Sequence, residues 1–225
     1  MKKLSLLIGG LLFSGLMMAQ TGEQKGRISF EGQTTTSGTV IGKKFAPGAR
    51  VRYFATEKLA LRGTFALANN TTTSNYFSNE VNNTGDKGTY TDKSTIWNLA
   101  IGAEYHVEGT DKISPYAAVD LVYGNQKSII DAKNATTAGY MANYTRNSET
   151  PAKRMGVALM GGLDYNFSNI FYLGGEIGIQ ITNYTVGEGK TTTVMNGVTT
   201  DALSNEIKRG TASDLIATVR LGFRF

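Results

Sequence analysis

The stretch S-D-L-I-A-T-V-R-L-G-F-R-F, residues 213–225, separates into two interleaved sets. Leu215, Ala217, Val219, Leu221, Phe223 and Phe225 share one parity, while Asp214, Thr218, Arg220, Gly222 and Arg224 share the other. Successive strand side chains point to opposite faces, so this pattern predicts a β-strand with one apolar face and one charged face. A soluble sandwich strand would satisfy it if the charged face met water. The rest of the chain decides between that and a strand whose apolar face meets lipid.

Seven further alternating runs precede it. Residues 25–33 set Ile28, Phe30 and Gly32 against Arg27, Ser29, Glu31 and Gln33, and a short polar link at 34–38 follows. Phe45, Pro47, Ala49, Val51 and Tyr53 then oppose Lys44, Arg50 and Arg52; Pro47 lacks a ladder donor and is expected near a rim or bulge. Leu59, Leu61, Gly63, Phe65 and Leu67 oppose Arg62 and Thr64. Trp97, Leu99, Ile101, Ala103, Tyr105 and Val107 oppose Asn98, Gly102, Glu104 and His106. Ile113 to Tyr123 at every second position oppose Ser114, Tyr116 and Asp120. Met155 to Phe167 oppose Arg154, Gly156, Gly162 and Asp164, and Phe171 to Ile181 oppose Tyr172, Glu176 and Gln180.

The connections alternate in kind. Those at 54–58, 108–112 and 168–169 are tight, whereas 68–94, 125–152 and 182–212 are long, polar and rich in Thr and Asn. All tight turns therefore fall at one end of the strands, with both termini. Within the strand cores every charge falls on the phase opposite the apolar one. A lipid-facing Arg at mid-bilayer costs about 2–4 kcal/mol, so a lipid face should be swept clean in this way. Closure is also required, since an open sheet edge in hydrocarbon leaves backbone groups unpaired. The fold class read from the chain is all-β: an eight-stranded antiparallel up-and-down transmembrane β-barrel.

The N-terminus agrees. Lys2 and Lys3 precede a short apolar run ending at small Ala19, the form of a secretory signal; residues 1–19 are expected to be removed, leaving the barrel domain at 20–225. That run is shorter than the ~20 residues a spanning helix needs. The chain has no Cys, which removes a lipid anchor, disulfides and thiolate metal sites. The formal charge of +5 falls to +3 without the two signal lysines (5 − 2), and no basic tract is concentrated enough to suggest nucleic acid.

From the signal, the eight alternating runs and the ending Arg220 to Phe225, the chain resembles small outer-membrane barrels of the OmpA/OmpX type, the porin-like barrels of Gram-negative bacteria. The resemblance implies an outer-membrane location with periplasmic termini and extracellular long loops. It implies contact with outer-membrane lipid and lipopolysaccharide. It also implies periplasmic chaperones and a barrel-assembly machinery that reads Leu221, Phe223 and Phe225 as an assembly signal. OmpA-type proteins often continue into a peptidoglycan-binding domain; with an end at Phe225 no such tether is expected.

Eight strands leave a lumen about wide enough for side chains to fill it. Arg27, Glu31, Arg50, Arg52, Arg62, Glu104, Asp120, Asp164, Glu176, Arg220 and Arg224 are therefore expected to form a luminal charge network that plugs the barrel, with a narrow ion path as the alternative. Catalysis has one candidate set. If Val107 faces Ile113 across the turn, His106 lies opposite Ser114 with Glu104 one step along, which would assemble a nucleophile, a base and an orienting acid of the kind small-barrel lipid A deacylases use. The trio sits at the tight-turn end, away from outer-leaflet lipid, so the expectation is no enzyme activity and a hydrogen-bonded rim. Another rival is an accessory barrel of a secretion or assembly complex. No cofactor and no metal are expected: the long stretches hold too few acids at calcium-loop spacing. Those stretches are where an extracellular ligand would bind. Tyr53, Tyr105, Tyr165, Phe167, Phe171, Phe223 and Phe225 at one end, and Phe45, Phe65, Trp97 and Tyr123 at the other, read as two interfacial girdles.

Overall fold

A computed structural model of the chain describes residues 26–37, 44–110 and 112–225. The signal stretch at 1–19, Gln20 and Lys25 lie outside the described residues, as do the side chains of Lys44 and Phe45. The strands are β1 (Ile28–Ser37), β2 (Lys44–Phe54), β3 (Leu59–Asn79), β4 (Thr84–His106), β5 (Ile113–Thr136), β6 (Gly139–Asn166), β7 (Phe171–Val186), β8 (Gly189–Met195), β9 (Val198–Ser204) and β10 (Ile207–Arg224). Every pairing is antiparallel. β1 to β7 pair consecutively, β7 pairs β10 and β10 pairs β1, so eight strands close a ring; β8 and β9 form a hairpin on the outer part of β6.

Burial is inverted relative to a soluble protein. Leu121 is 68% exposed, Met155 67% and Ile101 61%, whereas Glu104 is 1% exposed. The apolar phase faces outward around the ring and the charged phase faces in, which excludes the soluble sandwich and the soluble barrel. Among the described residues no helix is long and apolar enough to cross a membrane, a statement about helices alone.

Hydroxyls fix the three tight turns. Thr56, Thr110 and Ser168 each accept the backbone N–H three residues on, from Leu59, Ile113 and Phe171 at 2.9, 3.1 and 3.0 Å. A Ser or Thr doing this mimics a backbone turn and lets the chain reverse in few residues. The seam runs further than residues 25–33 suggest: β1 pairs β10 from Ser29↔Arg224 to Ser37↔Ile216, so the link at 34–37 is strand. Pro47 sits where β2 leaves β3, whose pairing begins at Gly48↔Ala66.

The long polar stretches are not loops. β3 and β4 continue as a ladder to Asn79↔Thr84, β5 and β6 to Thr136↔Gly139, and 189–204 folds as the β8–β9 hairpin. Thr supplies β-branched strand propensity without apolar alternation, because neither face meets lipid. Asn196 and Gly197, with φ of 50° and 79°, close the β8–β9 hairpin as a two-residue turn. An outer sheet of β3, β4, β5, β6, β8 and β9 thus stands on one side of the ring.

Candidate functional site: the barrel interior

Antiparallel pairing brings the inward positions of all eight ring strands toward one axis. Among the described residues five carboxylates (Glu31, Glu104, Asp120, Asp164, Glu176) and five arginines (Arg50, Arg52, Arg62, Arg220, Arg224) are buried there, and their formal charges balance. Arg52 is fully buried and touches three acids: Glu31 closely, Glu104 Oε1 at 2.7 Å and Asp164 Oδ2 at 2.8 Å. Arg62 holds Asp120 through two parallel contacts of 2.7 and 2.8 Å, and its Nη1 reaches Glu176 at 2.6 Å and Glu104 at 3.2 Å. Arg50 grips both oxygens of Glu176, at 2.7 and 2.9 Å, and donates Nε to Thr64 Oγ1. Arg220 contacts Asp164 closely, Glu176 at 2.7 Å and Glu31 at 3.1 Å; the last two are ion pairs outside hydrogen-bond alignment. The contacts form one connected cluster across the barrel, with β2 and β7 joined directly by Arg50 and Glu176.

Aromatic groups complete it. The hydroxyl of Tyr116 donates to Glu176 at 2.7 Å and that of Tyr172 to Glu31 at 2.5 Å. Arg52 lies over the Tyr172 ring, Arg220 over Tyr116, and Arg224 over Phe54 and Tyr172, at 4.9–5.0 Å from ring centroids. Among the described residues Nε and Nη2 of Arg224 have no hydrogen-bond partner, and ring faces are its main company. Space comes from inward glycines. A Cβ on Gly222 would stand 2.3 Å from the Tyr172 ring, and one on Gly174 would stand 2.4 Å from Arg220 Nε. The site read from sequence omits Tyr116, Tyr172 and Phe54; their inward parity is the signal that could have found them.

Toward the outer end the interior becomes polar rather than ionic. Arg154 donates twice to Asn98 Oδ1, at 2.9 and 2.6 Å, Gln126 donates to Ser94, and Thr35 and Thr218 share a 3.0 Å hydrogen bond. Arg27 lies at the opposite rim, with Nη1 3.5 Å from the Asn169 carbonyl.

His106 is buried, with ring centroids 5.5 Å from Phe54 and 5.0 Å from Tyr116. Its Nδ1 is 2.8 Å from Ser114 Oγ and its Nε2 is 3.3 Å from Glu104 Oε1, so the structure gathers the trio. The pairing differs from the expected one: His106 faces Tyr116, not Ser114, because a turn at Thr110–Ile113 is nested inside the connection. Glu104 is also held by Arg52 and Arg62. A carboxylate so neutralised has little left with which to stabilise an imidazolium, which is the orienting acid's task.

Leu221 is exposed on the outward face, while Phe223 and Phe225 are partly covered at the seam. The Phe223 ring stacks near Phe30 at 6.2 Å and meets Phe225 edge-on at 5.4 Å. Trp97 and Tyr123 pack at 5.5 Å at the opposite end of the outward face.

A closed ring of antiparallel strands, apolar outside and ion-paired inside, defines a transmembrane β-barrel. The chain belongs to the Putative OmpA-OmpF-like porin family, whose model matches residues 33–225. It is therefore an outer-membrane protein. No curated protein sequence matches it. Among solved structures it is similar to a major outer membrane protein from Thermus thermophilus, at 10% identity over 88% of this chain and 99% of that one, with a TM-score of 0.53. The N-terminal β-barrel domain of Pseudomonas aeruginosa OprF aligns at 15% identity over 89% and 98% of the two chains, TM-score 0.39. Ail, the attachment invasion locus protein of Yersinia pestis, aligns at 12% over 89% and 99%, TM-score 0.43.

The orientation has a simple test. Single cysteines at Asn82, Thr137 and Thr199, all exposed on the polar hairpins, should react with an impermeant thiol reagent on intact cells. Cysteines at Glu57 and Glu108, on tight turns, should react only once the envelope is opened. The reverse pattern would contradict the orientation.

Proposed function

We propose that the chain serves as a closed, non-catalytic outer-membrane barrel whose interior is sealed by its charge cluster and whose outer sheet is the working surface. The carrying observation is the five carboxylates and five arginines buried together in the lumen. Unpaired, such charges would be prohibitively costly to bury, so the cluster has strong reason to stay intact. It also keeps the inward face unlike the outward one: with both faces apolar, a one-residue slip of any strand would go unpunished. On this reading residues 20–225 form the barrel domain after removal of 1–19, and Leu221, Phe223 and Phe225 engage the assembly machinery.

Purified protein in planar bilayers should show little or no steady conductance. Frequent, large, stable openings in the unmodified protein would overturn the sealed reading.

A further inference from the structure

One luminal arginine stands apart from the cluster. Arg50, Arg52, Arg62 and Arg220 hold all five luminal acids between them. Arg224 is only 6% exposed, yet its Nε and Nη2 find no hydrogen-bond partner among the described residues. These two nitrogens form one edge of the guanidinium, where two parallel N–H bonds match the two oxygens of a carboxylate. The chain uses that edge in this way elsewhere. Nε and Nη2 of Arg62 hold Oδ1 and Oδ2 of Asp120 at 2.7 and 2.8 Å. In Arg224 the same edge is buried and unclaimed.

Position and charge favour an anion from outside the barrel. Arg224 ends β10, lies level with Ser29, and donates its backbone N–H to Ile170 O beside the tight turn at 168–169. It therefore stands at the tight-turn mouth of the lumen. The charges acting on it are Arg52, Arg27 and Asp164. Asp164 is already shared by Arg52 and Arg220, so the local balance is cationic. The Phe54 and Tyr172 rings, each with its centroid 5.0 Å from Cζ, support the guanidinium without accepting from that edge. A buried donor without an acceptor is costly, and one carboxylate would satisfy both nitrogens at once. Rings over the guanidinium favour a planar carboxylate above a tetrahedral phosphate. Close packing, which leaves no room for a Cβ on Gly222 beside Tyr172, limits the ligand to a small one.

We infer that Arg224 is a binding site for small carboxylates entering at the tight-turn mouth, gripped in parallel by Nε and Nη2 in the positive field of Arg27 and Arg52. The expected orientation opens this mouth to the periplasm. The site lies beside the ion-paired cluster and does not depend on the lumen being sealed.

The test titrates sodium acetate into the isotope-labelled barrel refolded in phosphatidylcholine nanodiscs, where both mouths meet buffer. Heteronuclear NMR follows the arginine Nε–H signals. That of Arg224 should shift saturably, while that of Arg62, whose edge Asp120 fills, should stay in place. Sodium chloride at matched ionic strength should not reproduce the shift, and inorganic phosphate should bind more weakly than acetate. Arg224→Lys keeps the charge and loses the fork. Followed through the backbone amides of Gly222 and Phe225, it should bind acetate roughly ten-fold more weakly, the effect of one charge-assisted hydrogen bond. No saturable shift with acetate, an equal shift with chloride, tighter binding of phosphate, or unchanged affinity in the lysine variant would each overturn the inference. Heat-modifiable gel migration reports that the variant is folded. Steady conductance in planar bilayers would overturn the sealed-lumen reading and leave this result standing, so the two fail separately.

Discussion

A chain lacking Phe223–Phe225 is expected to be exported to the periplasm and to fail there, with no folded species in the outer membrane. These residues hold the end of the seam: Phe225 N–H donates to Ile28 O at 2.9 Å, Ile28 N–H to Phe225 O at 3.3 Å, and Arg224 N–H to Ile170 O at 2.8 Å. Phe30, Phe223 and Phe225 form one aromatic group across it. Removing them opens the closure between β1, β7 and β10, and unpaired backbone groups facing hydrocarbon cost several kcal/mol each. Arg224→Gln alone should be far milder, because it removes ring contacts and no backbone bond. Heat-modifiable migration together with membrane fractionation measures both. A truncated chain recovered folded in the outer membrane would contradict the role given to the seam.

The second large effect is expected from Arg52→Ala. Arg52 is the cation between Glu31, Glu104 and Asp164, and all four side chains are inaccessible. Its loss leaves Asp164 dependent on Arg220, Glu31 on Arg220 and the more distant Arg50 at 3.9 Å, and Glu104 on Arg62 at 3.2 Å. Breaking a buried pair by removing one partner costs about 3–5 kcal/mol, chiefly because the remaining charge stays buried. Unfolding of the refolded barrel in urea should show that loss. A surface change such as Lys127→Gln should stay within about 0.5 kcal/mol. A loss below about 1 kcal/mol for Arg52→Ala would mean that water already enters the cluster.

The ring is legible in the sequence because lipid imposes a simple rule: Leu99, Ile101 and Leu121 must share a phase, and Glu104 and Asp120 must take the other. What the sequence conceals depends on register across space. That Arg50 meets Glu176 on a strand 126 positions away follows from how the closed ring is sheared, which no local pattern encodes. His106 is displaced by two positions from its expected partner because the connection after β4 hides a nested turn. The outer ladders look like loops in sequence because alternation vanishes where both faces meet water; Asn196-Gly197 alone marks a hairpin there.

The central claim is that the cluster fills the lumen and excludes water, and side-chain hydrogen exchange tests it most directly. In the refolded barrel transferred to deuterated buffer, the Nε–H signals of Arg52 and Arg62, aimed at Ser29 and Glu31 and at Asp120, should persist far longer than that of a peptide arginine. Their disappearance at the rate of a free arginine, in protein still folded by heat-modifiable migration, would show a water-filled passage and contradict the account.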